Sequence, residues 1–269
     1  MEIIRPFDRE KYHIKAVIFD FDGTLSTIRY GWVPMMYRFF LKYATDGRPL
    51  SEEQKAELNH YTLISGGIQT VVQMMWFVDR IKEYGLNPNA NMDPWFYKEA
   101  FLAELNDMAH KNRNEIRAGK RSASDYLIKG SVEFLARLQA AGLKTYIASG
   151  TEEPDLRCEA EVLGLMPHLT KVYGSPLNVI RNAKEHCLKC VMEEEGFQAH
   201  ELLFVGDGKL EISIGHANGT LTLGAATDED SREKLDPVKR DVLIEAGADA
   251  IVPNYENTDD IFAWLGIQG

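Results

Sequence analysis

Asp20 and Asp22 stand two residues apart at the end of a short apolar run, in Ile18-Phe19-Asp20-Phe21-Asp22-Gly23-Thr24. Carboxylates at i and i+2 on a strand-to-turn junction can address one site. One can attack a phosphorus centre as a covalent nucleophile. The other can protonate the leaving oxygen, then take a proton from the water that hydrolyses the intermediate. Gly23 lets the backbone leave the strand sharply. Asp and Gly are also ordinary turn residues. An apolar strand running into Asp-x-Asp-Gly-Thr is more specific than a turn, and the motif points to chemistry. Ser149, in Ile-Ala-Ser-Gly-Thr, and Asp207, in Val-Gly-Asp-Gly, also follow apolar runs.

These side chains need a frame. Residues 15–20, 144–149, 171–174, 201–208, 220–224 and 250–253 read as short strands, the 201–208 run ending in a turn. Residues 131–142, 153–165, 183–196, 210–219, 236–247 and 258–265 read as helices; Asp236 caps one, with Pro237 at its first position. Alternating strands and helices predict βαβ units, hence an α/β fold with a parallel sheet flanked by helices on both faces. Ligands of such sheets sit beyond the carboxyl ends of the strands. Asp20, Asp22, Ser149 and Asp207 all fall there.

Residues 25–121 break the alternation and read as helical. A capping box opens 51–58, with Ser51 and Gln54. A long amphipathic pattern spans 68–85 and stops at Gly85, and another, over 93–111, opens on Asp93-Pro94. The insert holds 14 of the 27 aromatic residues and six of the nine methionines, enough for the core of a small helical bundle. The expectation is a core domain of residues 1–24 and 122–269 carrying an all-helical domain at 25–121.

The segments IFDFDGTL, YIASGT and LLFVGDG resemble those of the haloacid dehalogenase superfamily of aspartate-nucleophile phosphotransferases. The resemblance covers roughly 14–24 and 122–265 and implies a Rossmann-like core; the insert sits where that superfamily carries a helical C1 cap. It implies that Asp20 is the nucleophile and Asp22 the acid and base. Ser149 would hold phosphoryl oxygens, joined by backbone N–H groups at Gly150, with Thr151 a weaker neighbour. Lys184, 23 residues before Asp207 at a helix start, fits the lysine that balances phosphate and nucleophile charge better than Lys189 does. The resemblance also implies Mg²⁺, a hard cation that takes oxygen ligands. Its expected ligands are Asp20, the main-chain carbonyl of Asp22, and Asp207. Glu211 replaces the family's usual second Asp; it could bind metal directly, act through water, orient Lys184, or simply complement a helix N-terminus.

A cap should close over such a site and read the leaving group. Ser65-Gly66-Gly67 is a candidate loop: Gly66 and Gly67 could let the backbone approach substrate, or could form a plain helix–helix turn. Arg29, Tyr30 and Trp32 lie on the entry to the insert, with Arg29 a candidate substrate contact. The basic stretch 111–121 reads first as a last helical turn and an exposed linker. Cys187 and Cys190 form a CxxC on a helix. Without a second CxxC they read as small packing residues rather than half a zinc site.

Net charge is −11 over 269 residues, which disfavours general nucleic-acid binding. It is uneven: 25–121 carries 13 basic and 11 acidic side chains, net +2, which suits an anionic substrate. No apolar run is long enough to span a membrane, and the amino-terminal residues lack a secretory pattern. Three cysteines in an odd, sparse set fit a reducing cytoplasm. The resulting expectation is a cytoplasmic, Mg²⁺-dependent hydrolase that removes phosphate from a small phosphorylated metabolite through an aspartyl-phosphate. The alternatives are a phosphosugar mutase, which would return the phosphate to substrate, and a non-catalytic binding protein on the same fold. A dehalogenase is disfavoured by Asp22 and the Gly-Asp motif.

Overall fold

The computed structural model of the chain describes residues 1–267. The chain divides into two compact units: Met1–Tyr30 together with everything from Arg113 onward, and Gly31–Asn112. The helical unit is therefore narrower than the 25–121 expected. Leu25 and Ile28 are buried in the core of the larger unit and Ile116 packs against it, which draws 25–30 and 113–121 out of the insert.

The smaller unit is helical: α1 (Trp32–Tyr43), α2 (Glu52–Ile64), α3 (Thr70–Tyr84) and most of α4 (Pro94–Arg117). The capping box of α2 forms in both directions: Ser51 Oγ accepts from Gln54 N–H at 3.1 Å, and Gln54 Oε1 from Ser51 N–H at 2.9 Å. Gly85 ends α3 in the left-handed conformation. Asp93 opens α4 by accepting from Trp95 N–H at 3.0 Å. Phe39, Phe40, Phe77, Tyr97 and Phe101 are buried together with Met36 and Met74, so the aromatic and methionine excess is a bundle core. Phe40 and Phe77 stack at 4.3 Å.

The larger unit is built on β1 (Glu2–Ile3), β2 (Ala16–Phe19), β3 (Lys144–Glu152), β4 (Lys171–Ser175), β5 (Leu202–Gly206), β6 (Leu221–Ala225) and β7 (Ala250–Val252). They form one sheet in the order β1-β7-β6-β5-β2-β3-β4. All neighbours are parallel except β1, which pairs antiparallel with β7 at the edge. Six strands match the sequence reading. β1 does not appear in it, because two residues carry no local signal and owe their conformation to Ala250 and Ile251.

Helices cover both faces, and the period of two along each strand decides what each covers. Val17, Phe19, Val205 and Leu223 face α5 (Ser131–Ala140), α6 (Glu153–Val162) and α10 (Thr258–Leu265) through Phe134, Leu156 and Phe262. Ala16, Ile18, Tyr146 and Phe204 face α7 (Ala183–Glu193) through Cys187, Leu188 and Val191. α8 (Lys209–Ala217) and α9 (Pro237–Ala246) complete that second layer through Ile212 and Leu243, which pack with Ile251. Burying a side chain such as Phe19 or Phe204 contributes about 1.5–3 kcal/mol, so both layers clamp β2 and β5.

The order of strands reverses at β2: β3 and β4 lie to one side, and β5, β6 and β7 to the other. The crevice of an open parallel sheet opens at such a reversal, beyond the carboxyl ends of the strands. Asp20 follows β2 and Asp207 follows β5, at that crevice.

Candidate active site

The β2–β5 ladder runs one residue past the strand: Asp20 N–H donates to Val205 C=O at 2.9 Å. This fixes the Asp20 backbone before the chain turns. The turn then closes on Phe21 C=O, which accepts from Leu25 and Ser26 N–H at 3.0 Å each. Gly23 adopts φ +78°, and a Cβ there would lie 2.1 Å from Asp207 Oδ2. Only glycine allows both this backbone and the close approach of Asp207. Thr24 Oγ1 donates to Asp207 Oδ1 at 3.2 Å, and Tyr255 Oη holds Thr24 C=O at 3.0 Å.

Lys184 enters from the start of α7, where Asn182 Oδ1 accepts from Lys184 N–H at 3.0 Å. Its ammonium is 3.1 Å from Asp20 Oδ1 and 2.7 Å from Glu211 Oε2, with only 1% of the side chain exposed. Burial works against that charge, but Asp20 and Glu211 outweigh it and hold the lysine above its ordinary range. Glu211 is buried too, yet Lys184 keeps its carboxyl below the usual value. Its Oε1 accepts from Gly208 N–H at 2.5 Å. This tuck needs Gly206, where a Cβ would meet Glu211 Cγ at 2.0 Å. The hydrogen bonds of Glu211 thus hold Lys184 and also cap the start of α8.

Asp20, Asp207 and Glu211 each offer an oxygen, all within 4.8 Å of one another. Burial raises the Asp20 carboxyl well above its ordinary value, with Lys184 opposing and Glu211, Asp207 and Asp22 adding. This excess of negative charge and this all-oxygen donor set fit a hard divalent cation. No side-chain oxygen of Asp22 belongs to the cluster.

β3 loses register with β4 between Ala148 and Glu152, and the irregularity contains Ser149, Gly150 and Thr151. Ser149, buried, accepts from Thr151 N–H at 3.1 Å through Oγ. Thr151 Oγ1 donates to Asp22 Oδ2 at 2.9 Å. Thr151 thus touches the second carboxylate of the motif directly, more than its sequence position suggested. Asp22 Oδ1 is buried with no partner. Burial pushes this carboxyl up to about 7, with Arg29 opposing.

Arg29, expected as a substrate contact, has its guanidinium engaged by a carboxylate of the larger unit. Its Nε and Nη2 grip Glu159 Oε2 and Oε1 of α6 at 2.9 and 2.7 Å, a buried bidentate pair. Arg113 joins the cluster, 3.1 Å from Asp155 and 4.0 Å from Glu159. The basic stretch 111–121 is accordingly not all exposed linker, since α4 continues through Arg117 and buries Arg113. Tyr30 is exposed, and its hydrogen bond with Asp230 pushes the hydroxyl up to about 12.

Gly66 and Gly67 lie in the turn between α2 and α3 of the helical unit, Gly67 at φ +77°. The turn is braced from within: Gln73 Nε2 of α3 donates to Ser65 C=O at 2.8 Å and to Ser65 Oγ at 3.0 Å. Lys189 lies on an exposed face, 3.8 Å from Glu193. Cys187 and Cys190 are buried in the layer of α7, and among the described residues the metal-competent cluster contains no cysteine.

Sequence reasoning missed Lys239. From the first turn of α9, its ammonium lies 2.7 Å from Asp207 Oδ2 and 2.7 Å from Glu229 Oε1. A signal was there, since a cation at a helix N-terminus opposes the helix dipole and calls for acidic partners elsewhere.

Residues 14–219 match the family model of haloacid dehalogenase-like hydrolases. A 5'-nucleotidase of Pseudomonas aeruginosa is 23% identical over 81% of this chain and 86% of its own length. A phosphoglycolate phosphatase of Escherichia coli is 25% identical over 53% of this chain; the match spans about half of that protein, 52%. Among solved structures, a phosphonoacetaldehyde hydrolase-like protein from Oleispira antarctica superimposes with a TM-score of 0.64 at 16% identity, covering 95% of this chain and 93% of that one. Among the described residues no helix is long and apolar enough to cross a membrane.

Proposed function

The chain belongs to the haloacid dehalogenase-like hydrolases, and from that premise we propose that it is a divalent-metal-dependent phosphatase, with Mg²⁺ the expected ion, acting on a small phosphorylated metabolite through an aspartyl-phosphate on Asp20. The observation that carries the reading is the arrangement of Asp20 at the sheet's reversal: its backbone is pinned to Val205, and its carboxylate is shared with a buried lysine. The names of the relatives, a nucleotidase and a phosphoglycolate phosphatase, favour a phosphate monoester of a small molecule.

In this reading an oxygen of Asp20 attacks phosphorus in line, and the bond to the leaving oxygen breaks. Asp22, held by Thr151 through Oδ2, keeps Oδ1 for proton transfer. It protonates the leaving oxygen, then takes a proton from the water that cleaves the aspartyl-phosphate. Lys184 stays charged between Asp20 and Glu211 and offsets the charge on the phosphoryl oxygens. Ser149 and the backbone at Gly150 orient those oxygens. Asp20, Asp207 and the main-chain carbonyl of Asp22 would hold the metal, with Glu211 steering Lys184 beside it. When bound, the ion supplies Lewis-acid neutralisation of the phosphoryl group. The helical unit acts as the cap, with the braced Ser65–Gly67 turn taking part in substrate choice. Three free thiols, Cys187 and Cys190 among them buried, suit a reducing cytoplasm.

The test is hydrolysis of p-nitrophenyl phosphate with Mg²⁺ and with chelator, using Asp20→Asn as the blank. Turnover that needs metal and disappears in the variant, with the circular dichroism spectrum unchanged, is the expected result. Metal-independent turnover, or a variant that keeps most of its activity, overturns the reading. Turnover that appears only with a sugar bisphosphate present assigns the chain to the phosphomutases instead.

A further inference from the structure

The crevice holds two lysines, and they differ in a way that the reaction above does not use. Lys184 is sealed, and both of its partners, Asp20 and Glu211, belong to the carboxylate cluster. Lys239 is half-buried, with 22% of its side chain exposed, and only one of its partners belongs to that cluster. Its other partner, Glu229, lies in the segment between β6 and α9.

That segment is held in place independently of Lys239. Asp228 Oδ1 accepts from Ser231 N–H at 2.8 Å, Asp228 C=O accepts from Arg232 N–H at 2.7 Å, and Thr227 Oγ1 donates to Pro253 C=O at 2.6 Å. The backbone that carries Glu229 is therefore fixed without Lys239. Asp207 has both oxygens engaged, Oδ1 by Thr24 and Oδ2 by Lys239. To serve a metal ion it must share or release Oδ2, while the Thr24 bond keeps the carboxylate in place.

We propose that Lys239 is an internal counter-ion that occupies Asp207 until a divalent cation displaces it, and that Glu229 retains the ammonium once Asp207 has turned to the metal. This deepens the metal-dependent reading above and rests on it. A lysine suits the task because it is a compact charge on a flexible stem, able to leave one oxygen without leaving the other. Glu229 removes the main obstacle, since an ammonium released without a partner in a partly buried site would be strongly unfavourable. Lys239 is on this account a positioning residue. It sets how tightly the metal is held and takes no part in bond making.

The two members of the pair then act in opposite directions. Lys239→Met removes the competitor and tightens Mg²⁺. Glu229→Gln weakens the alternative anchor, commits the ammonium to Asp207 and loosens Mg²⁺. The experiment is calorimetric titration of the full-length protein, stripped of metal, with Mg²⁺ alone. It is run on wild type, Lys239→Met, Glu229→Gln and Asp207→Asn, with thermal melts in chelator to confirm that each folds. By the size of a unit charge at hydrogen-bond range from a ligand, the shift should be about tenfold in Kd, downward for Lys239→Met and upward for Glu229→Gln. Lys239→Arg should stay within about threefold of wild type, because the charge is retained.

A structural role would move Lys239→Met and Glu229→Gln the same way, and that outcome overturns the proposal, as does an unchanged Kd in either. If Lys239→Met does not fold, a Kd for Glu229→Gln weaker than wild type sustains the proposal, and one equal or tighter overturns it. If wild type takes up no Mg²⁺, or Asp207→Asn binds it as wild type does, the metal reading itself fails, which separates that failure from one confined to Lys239.

Discussion

Two buried charge clusters sit in the larger unit. In one, Arg29 and Arg113 meet Glu159 and Asp155, so that cations and anions balance and the central pair is bidentate. In the other, Asp20, Asp22, Asp207 and Glu211 outnumber Lys184 and Lys239, and Asp22 keeps a buried oxygen without a partner. The first is what a fold tolerates for its own sake, with every charge answered. The second leaves charge and hydrogen-bonding capacity unanswered, at an energetic cost that a structural role does not explain. Imbalance, more than burial, separates the site from the scaffold.

Substitutions in each cluster should therefore fail differently. Lys184→Met, in the unbalanced cluster, should lower kcat for an aryl phosphate by about 10⁴-fold, because the group that offsets phosphoryl charge is lost; steady-state kinetics at saturating Mg²⁺ checks this. A loss under tenfold would put Lys184 with the scaffold. Glu159→Ala, in the balanced cluster, removes the bidentate carboxylate partner of the buried Arg29, while Arg113 keeps Asp155. Denaturant melts should show a loss of about 3–5 kcal/mol, as for breaking other buried ion pairs. The protein that remains folded should keep kcat within about threefold, since the residue touches no reacting atom. A large fall in kcat with normal stability would erase the distinction between the clusters. The smallest effect is expected at Thr151→Val, which keeps the shape of the side chain but removes its donor to Asp22. A fall of about tenfold in kcat with an unchanged melting temperature is the expected result. No change in kcat would make Thr151 a strand residue only.

The unbalanced cluster was largely legible in the amino-acid sequence. Asp20, Asp22, Ser149, Lys184 and Asp207 are tied to strand ends or a helix start, so local pattern places them, and likeness to a family supplies roles. Glu211 was legible as a departure, but its hydrogen bond to Lys184 depends on Gly206 having no side chain, which spacing does not reveal. Lys239 and Glu229 reach Asp207 from segments that only the order of β5, β6 and β7 brings near. The balanced cluster was invisible for the same reason. Arg29 read as a candidate contact because Glu159, 130 positions away in the chain, carries no mark of its own. In the fold, α1 went unread because it opens on Gly31 without a side-chain cap and packs aromatic and methionine residues around Pro34. The start of α4 was marked by Asp93 and Pro94, whereas its end ran on through a basic stretch that reads as solvated until Arg113 is buried.

Arg29 and Arg113 stand at the two places where the backbone leaves and re-enters the larger unit, beside Gly31 and Asn112. Both reach the same atom, Glu159 Oε1. The whole helical segment is thus spliced in between two residues that one carboxylate oxygen holds in register. For protein engineering this makes a natural graft junction. A library that exchanges residues 31–112 for other helical modules, while keeping Arg29, Arg113 and Glu159, would show whether substrate preference travels with the helical unit, and a shuffle that cuts inside the clamp would sever its seam.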